Sequence, residues 1–259
     1  MKQELLFEVD EGVALITFNR AEARNALTFG MYQQLADHCN EANRDEAIKV
    51  LIITGDGNRA FAAGTDIAQF RDFQSAADGL AYERHMDSVL STLETCTVPT
   101  IAAITGACTG GGAAIAACCD LRIADRSLKF GFPIARTLGN CLSNASLQRL
   151  IWLLGAGRTR EIIFTARLIE ADEALAIGLV SALLETPQEV LPQARSLAEK
   201  IKSFAPLTLK ATKQSMQRLR DQGHAAEDED LIALCYTSED FHEGLDAFLN
   251  KRKPQWKGR

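Results

Sequence analysis

Short, continuously apolar runs alternate with stretches of helical spacing over roughly the first half of the chain. Leu5 to Val9 and Val13 to Phe18 are β-rich runs flanking Asp10-Glu11-Gly12, which predicts a hairpin. Thr28 is placed to cap a helix whose Met31, Leu35, Cys39 and Ala42 share one face. Val50 to Thr54 reads as a strand buried on both faces. A helix over Ala81 to Thr95, a strand over Thr100 to Ile104 and a helix over Ala113 to Cys118 follow, then short strands over Leu121 to Ala124 and Leu128 to Phe130. This order of strands and crossover helices predicts an α/β fold with parallel strands.

Beyond Leu142 the strand signal nearly disappears. Helical spacing covers Leu147 to Leu154, Arg158 to Thr165, Ala171 to Ile177, Gln188 to Ser203, Leu207 to Leu219, Asp228 to Tyr236 and Asp240 to Asn250. No linker rich in Pro, Gly or Ser separates the halves, so the tail is expected to pack on the rest. Phe241, Leu245 and Phe248 recur at helical spacing and form an apolar face too large for a short annex to bury alone. The division expected is a core over residues 1–187 and a helical oligomerisation region over residues 188–259.

Composition narrows the function classes. With 259 residues, 28 basic against 34 acidic side chains and a net charge of −6, the chain lacks the basic excess that phosphate backbones require, so no nucleic-acid partner is expected. Seven cysteines without a C-x-x-C pair, and only four histidines, suit buried thiols in a reducing cytoplasm better than a disulfide scaffold or a metal site. Thr100 to Cys119 is uncharged, but it is rich in Ala and broken by four Gly. It therefore reads as strand, turn and helix, not as a membrane span. The start, Met1-Lys2-Gln3-Glu4, leads into no signal-peptide core.

Two glycine sites carry the candidate chemistry. Phe61-Ala62-Ala63-Gly64-Thr65-Asp66 follows one buried strand, and Gly106-Ala107-Cys108-Thr109-Gly110-Gly111-Gly112 follows another and opens a helix. Such runs let a backbone approach a ligand with amide hydrogens unpaired, and a helix N-terminus adds positive partial charge. Together they can aim two N–H groups at one carbonyl oxygen. Tight helix–strand packing is the alternative. A nucleotide fingerprint fits poorly, because G-x-x-x-G-G-G is neither G-x-G-x-x-G nor a P-loop.

The ordered set of motifs resembles the crotonase superfamily, the enoyl-CoA hydratase/isomerase family. It comprises Ile16-Thr17-Phe18-Asn19-Arg20 with Asn25-Ala26-Leu27, the two glycine sites, Pro99 to Ile104, Cys119 to Ala124 and Phe130-Gly131-Phe132-Pro133. Ala171 to Val180, Glu243-Gly244, Ala247-Phe248 and Lys251-Arg252-Lys253-Pro254 complete it, so nearly the whole chain is covered. The resemblance implies a spiral of ββα units, a C-terminal helical trimerisation region, a homotrimer or dimer of trimers, and an acyl-CoA thioester ligand. No cofactor is implied beyond the coenzyme A of that thioester. By motif, the amides of Thr65 and Gly111 would form the oxyanion hole beside Gly110. Arg24 and Ala26 would meet the CoA phosphates and their surroundings, and Ala60, Ala62, Asp66 and Ile67 would border adenine and pantetheine. Phe248 and Lys251 would reach a neighbouring subunit's CoA.

One departure is informative. Hydratases of this family use two glutamates as acid and base, and this chain has Ala114 and Ile134 at those positions. No Asp or Glu occurs between Ser127 and Arg160, so a shift of alignment does not recover the second carboxylate. After Pro133 the polar candidates are Arg136, Thr137, Asn140, Cys141, Ser143 and Asn144. Asn140 can orient water or a substrate carboxylate, or cap a helix. Cys141 can act as nucleophile or acid, or simply pack. Arg136 can clamp an acyl carboxylate or point to solvent. Asp66 and Asp120 are expected to hold loop amides and a helix end, although Asp66 and Glu83 are the nearest carboxylates remote in sequence. Two functions compete: an acyl-CoA enzyme working through an enolate, decarboxylation included, and a non-catalytic acyl-CoA-binding or scaffolding subunit.

Overall fold

The expected N-terminal hairpin forms from β1 (Leu5–Asp10) and β2 (Val13–Phe18), paired antiparallel. Glu11 and Gly12 take positive φ angles of 46° and 82°, the left-handed pair that matches the twist of adjoining strands. The computed structural model describes residues 3–223 and 226–259; Met1 and Lys2, part of the N-terminal reading, lie outside them. Helix α1 (Phe29–Arg44) starts where Thr28 accepts a hydrogen bond from Met31 N, and it buries Met31, Tyr32, Leu35, Cys39 and Ala42.

Three turns of a spiral follow, each with a long strand, a short strand and a helix. The first is β3 (Val50–Gly55), β4 (Ala60–Ala62) and α2 (Ala76–Glu94). The second is β5 (Thr100–Ile104), β6 (Ala107–Thr109) and α3 (Gly111–Cys118), and the third is β7 (Leu121–Asp125), β8 (Lys129–Gly131) and α4 (Ile134–Thr137). Helix α2 begins at Ala76, ahead of the expected Ala81, because Ser75 and Asp78 form a capping box. Adding β9 (Ile169–Glu170) and β10 (Ala182–Leu184), the strands form two sheets, ordered β1-β2-β3-β5-β7-β10 and β4-β6-β8-β9. The large sheet is parallel from β2 onward, and β4, β6 and β8 run parallel in the small one. The chain therefore has the α/β spiral of ββα units expected of it.

The remaining helices are α5 (Asn144–Leu154), α6 (Ala156–Phe164), α7 (Ala171–Ala176), α8 (Pro187–Lys202), α9 (Pro206–Gln222), α10 (Glu229–Tyr236) and α11 (Glu239–Leu249). One face of the large sheet packs on α1, α2 and α3. The other presents Val13, Leu15, Val50, Ile52, Ile101, Ala103 and Ile123 to Val190, Ala194, Ala198 and Ile201 of α8. Helix α8, the first element of residues 188–259, is thus a layer of the core. Past it, Tyr236, Phe241, Leu245, Phe248 and Leu249 are exposed, Phe248 by 82%.

Buried Arg122 and partly buried Asp120 tie the spiral turns together. Arg122 donates to the carbonyls of Leu179, Ala116 and Cys119. Asp120 accepts from Thr100 N and Oγ1 and from Lys213 Nζ, the structural role expected of it. Cys39, Cys96, Cys108, Cys118 and Cys119 are buried free thiols, and burial pushes each one up in pKa. No helix among the described residues is long and apolar enough to cross a membrane; Thr100 to Cys119 instead forms β5, β6 and α3.

Candidate active site

The three parallel short strands end at one place. Ala63, Gly64 and Thr65 follow β4, Gly110 and Gly111 follow β6, and Phe132, Pro133 and Ile134 follow β8; all of them line a cavity of about 210 Å³. Ligand sites at the carboxyl ends of parallel strands are a general consequence of such topology, since the loops there diverge. The two glycine runs meet: a Cβ on Gly110 would lie 3.4 Å from Gly64 Cα, and one on Gly111 3.2 Å from Thr65 Oγ1. Gly110, with φ 52° and ψ −120°, takes a backbone shape that side-chain-bearing residues rarely adopt. Its N–H donates to Gly131 O and its carbonyl accepts from Ala114 N. Among the described residues, the N–H groups of Thr65 and Gly111 donate no hydrogen bond.

The segment before α1 braces the first glycine run. Ala63 N donates to Arg24 O at 3.0 Å, Leu27 N to Gly64 O at 2.8 Å, and Asp66 N to Leu27 O at 2.9 Å. Arg20 crosses between them, donating to Ala26 O at 2.6 Å and pairing with Asp66 at 3.0 Å. Asp66 also accepts from Ala68 N, so its carboxylate is spent on holding the loop. Buried Asn25 donates to Asp56 O and Ala60 O. This bracing leaves the Thr65 amide little freedom.

Side chains of α1 and α2 enclose the far side. Thr65 Oγ1 is 2.8 Å from Tyr32 Oη and 3.0 Å from Tyr82 Oη, a chain of three hydroxyls beside Gly111. Burial raises the pKa of both tyrosines, so the hydroxyls keep their protons. Phe70 and Tyr82 line the cavity within an edge-to-face cluster that includes Phe29 and Phe73. Met86 and Leu90 of α2 complete this apolar side together with Glu83, the only carboxylate lining the cavity among the described residues. Burial, followed by the nearby Asp87 charge, holds Glu83 above the ordinary carboxylate range, opposed by a hydrogen bond from the Ser143 amide.

Thr65, Gly110, Gly111, Ile67, Pro133, Ile134 and Asn140 line this cavity, as does Ala114. Cys141 lines an adjoining cavity of about 340 Å³, which shares Ile134, Asn140 and Leu142 with the first. Arg136 is exposed on α4 and lines neither. Ala60 and Ala62 are fully buried in β4, so only their main chains can border a ligand. Arg24 is exposed, and its side chain makes no hydrogen bond or ion pair among the described residues. Phe248 and Lys251 sit at the end of α11, away from the cavity lining. Sequence reasoning missed Tyr32, Phe70, Tyr82, Met86 and Leu90.

The whole chain is similar to known proteins in both sequence and fold. A family model described as Enoyl-CoA hydratase/isomerase matches residues 8–259. The chain is 36% identical over 255 residues to a crotonyl-CoA hydratase of Syntrophomonas wolfei, covering 97% of this chain and 96% of that one. It is 34% identical over 260 residues to the 2,3-dehydroadipyl-CoA hydratase of Escherichia coli, covering 99% of each. Among solved structures, an enoyl-CoA hydratase/carnithine racemase from Magnetospirillum magneticum superposes with a TM-score of 0.91 at 33% identity, covering 100% of this chain and 97% of that one. The enoyl-CoA hydratase of Bacillus anthracis gives 0.90 at 29% identity, covering 99% and 100%. This chain belongs to the enoyl-CoA hydratase/isomerase family of the crotonase superfamily.

Proposed function

We propose that the protein binds an acyl-CoA thioester with its carbonyl oxygen against the Thr65 and Gly111 amides and stabilises the enolate formed there. The observation that carries this reading is the pair of undonated N–H groups, from two turns of the spiral, at one cavity. Charge that develops on the thioester oxygen is stabilised by fixed donors that need no reorganisation. Arg24, exposed and without an ion pair among the described residues, suits the CoA phosphates; Ala26, the Ala60 and Ala62 main chains and exposed Ile67 border the rest of the CoA. Asp66 contributes by bracing the loop. No cofactor beyond the CoA moiety is invoked. The seven unpaired cysteines suit the reducing cytoplasm.

With Ala114 and Ile134 at the cavity, neither position can transfer a proton, so crotonyl-CoA hydration by a glutamate pair is expected to be very slow. A non-catalytic acyl-CoA-binding subunit is the competing reading, supported by those same two residues; saturable binding without turnover would select it. Calorimetry tests the shared premise. Crotonyl-CoA should bind more tightly than crotonate, and equal affinities would overturn it. The exposed apolar face of α10 and α11 supports a homotrimer or dimer of trimers, in which Phe248 and Lys251 meet a neighbouring subunit's CoA. Sedimentation at micromolar concentration should show trimer or hexamer, and a 28.3 kDa species alone would reject this.

A further inference from the structure

We propose that Glu83 of α2 is the group that exchanges a proton with the thioester α-carbon in this cavity, in the absence of carboxylates at positions 114 and 134. The assignment rests on the acyl-CoA reading. Proton transfer requires an ionisable group at the site, and the lining offers only Glu83 and Tyr82 among the described residues. Burial keeps Tyr82 protonated, and its hydroxyl is engaged with Thr65. Asp66, the other carboxylate near the loop, is held by Arg20 and by Ala68 N. Glu83 lines the cavity with Met86 and Leu90 of the same helix and makes no ion pair among the described residues.

Its neighbour one turn on is treated differently. Asp87 accepts from Ser143 Oγ at 2.7 Å and lies 3.6 Å from Arg149, which hydrogen-bonds Glu94 at 3.0 Å, so that cation pairs with these two carboxylates and not with Glu83. Burial and the Asp87 charge both favour the protonated form of Glu83, so its carboxyl is held above the ordinary carboxylate range beside the cavity. The groups around Glu83 are Tyr82 and Asp87 on its own helix, Tyr32 from α1, and Arg149 of α5, which approaches Asp87 at 3.6 Å. Helix α3 and the 132–142 wall bring no ionisable side chain into the cavity. In the step itself, the Glu83 carboxylate takes the α-proton and the C–H electron pair becomes the enolate C=C bond. The carbonyl π pair moves onto the oxygen held by Thr65 and Gly111, and return of a proton from the Glu83 acid reverses every change.

Butyryl-CoA in D₂O tests this, because it has α-hydrogens and cannot be hydrated. The wild-type oligomer should incorporate α-deuterium by NMR, with a rate that rises as a carboxyl group ionises. Glu83→Gln should slow exchange by about 10²-fold or more, the usual worth of an acid–base group, and remove that inflection, with butyryl-CoA affinity held within about threefold. Glu83→Asp keeps the carboxyl and should retain the inflection at reduced rate, which a purely structural role would not produce. A loss under about tenfold in Glu83→Gln would overturn the assignment and leave the acyl-CoA reading standing. Tight butyryl-CoA binding without wild-type exchange would overturn the enolate step and Glu83 with it. Absence of binding would overturn the acyl-CoA reading itself.

Discussion

Two walls of the cavity are made of different material. Ala63–Thr65 and Gly110–Gly111 form one from main chain, anchored to short strands and braced by hydrogen bonds to residues 24–27 and to Gly131. Ile134, Thr137, Leu138, Asn140 and Leu142 form the other from side chains, carried on the four-residue helix α4 and the loop after it. A backbone N–H is present whatever the side chain, so the first wall keeps its donors through most substitutions. The second wall has only the chemistry its side chains bring, and here they bring little that can move a proton. Within one fold, charge stabilisation and proton transfer can therefore be lost or relocated independently.

The largest expected effect comes from restoring carboxylates on α3 and in the second wall. Ala114→Glu combined with Ile134→Glu should raise crotonyl-CoA hydration by about 10²–10⁴-fold, read as loss of enoyl-thioester absorbance. No increase would mean that α3 and α4 do not flank the reacting carbons. Next comes damage to the first wall. A methyl on Gly111 would overlap the Tyr32 hydroxyl, so Gly111→Ala must move either the helix start or the tyrosine. Losing one oxyanion donor typically costs about 10²–10³-fold in turnover, and a loss of that order is expected in the deuterium-exchange assay. Adding Tyr32→Phe removes the hydroxyl and should recover part of the loss. The recovery is partial because the ring carbon that bore the hydroxyl would still lie 3.2 Å from the new methyl. A double variant as slow as Gly111→Ala alone would show that the clash is not the cause.

The first wall was legible in the sequence for the same reason that it is robust. A glycine run after a buried strand is written in consecutive letters, and so are the helices whose apolar residues recur at fixed spacing. Strands β4, β6, β9 and β10 were not legible, being two or three residues long and too short for any periodicity. The hydroxyl chain of Tyr32, Thr65 and Tyr82 joins three separate elements, so no local pattern records it. Proximity in sequence to Pro133 suggested both Asn140 and Cys141, but after Gly139, with φ 75°, the chain takes Cys141 to the adjoining cavity. Glu83 did leave a signal: with Met86 and Leu90 at i+3 and i+7, it is a carboxylate bordering an apolar helical face, with Asp87 one turn on.

That carboxylate gives the smallest effect and the finest test of how the walls differ. Burial and Asp87 raise the Glu83 pKa in the folded state, so between the ordinary carboxylate range and the raised value the folded protein holds more protons than the unfolded chain. Stability from this group is then fully present at acid pH and is lost as pH rises through the raised value. Gln at position 83 cannot ionise and escapes that loss. Glu83→Gln should therefore gain on wild type in Tm as pH rises from 4 to 8, by a small margin because the group is only half-buried and part of the penalty is screened. The Ser143 amide works against the gain by stabilising the charged form. A Tm difference that is flat with pH, measured by calorimetry across that range, would place Glu83 in solvent instead of against the apolar side of the cavity. The carboxylate on α2 would then have no more claim to the α-proton than any exposed glutamate.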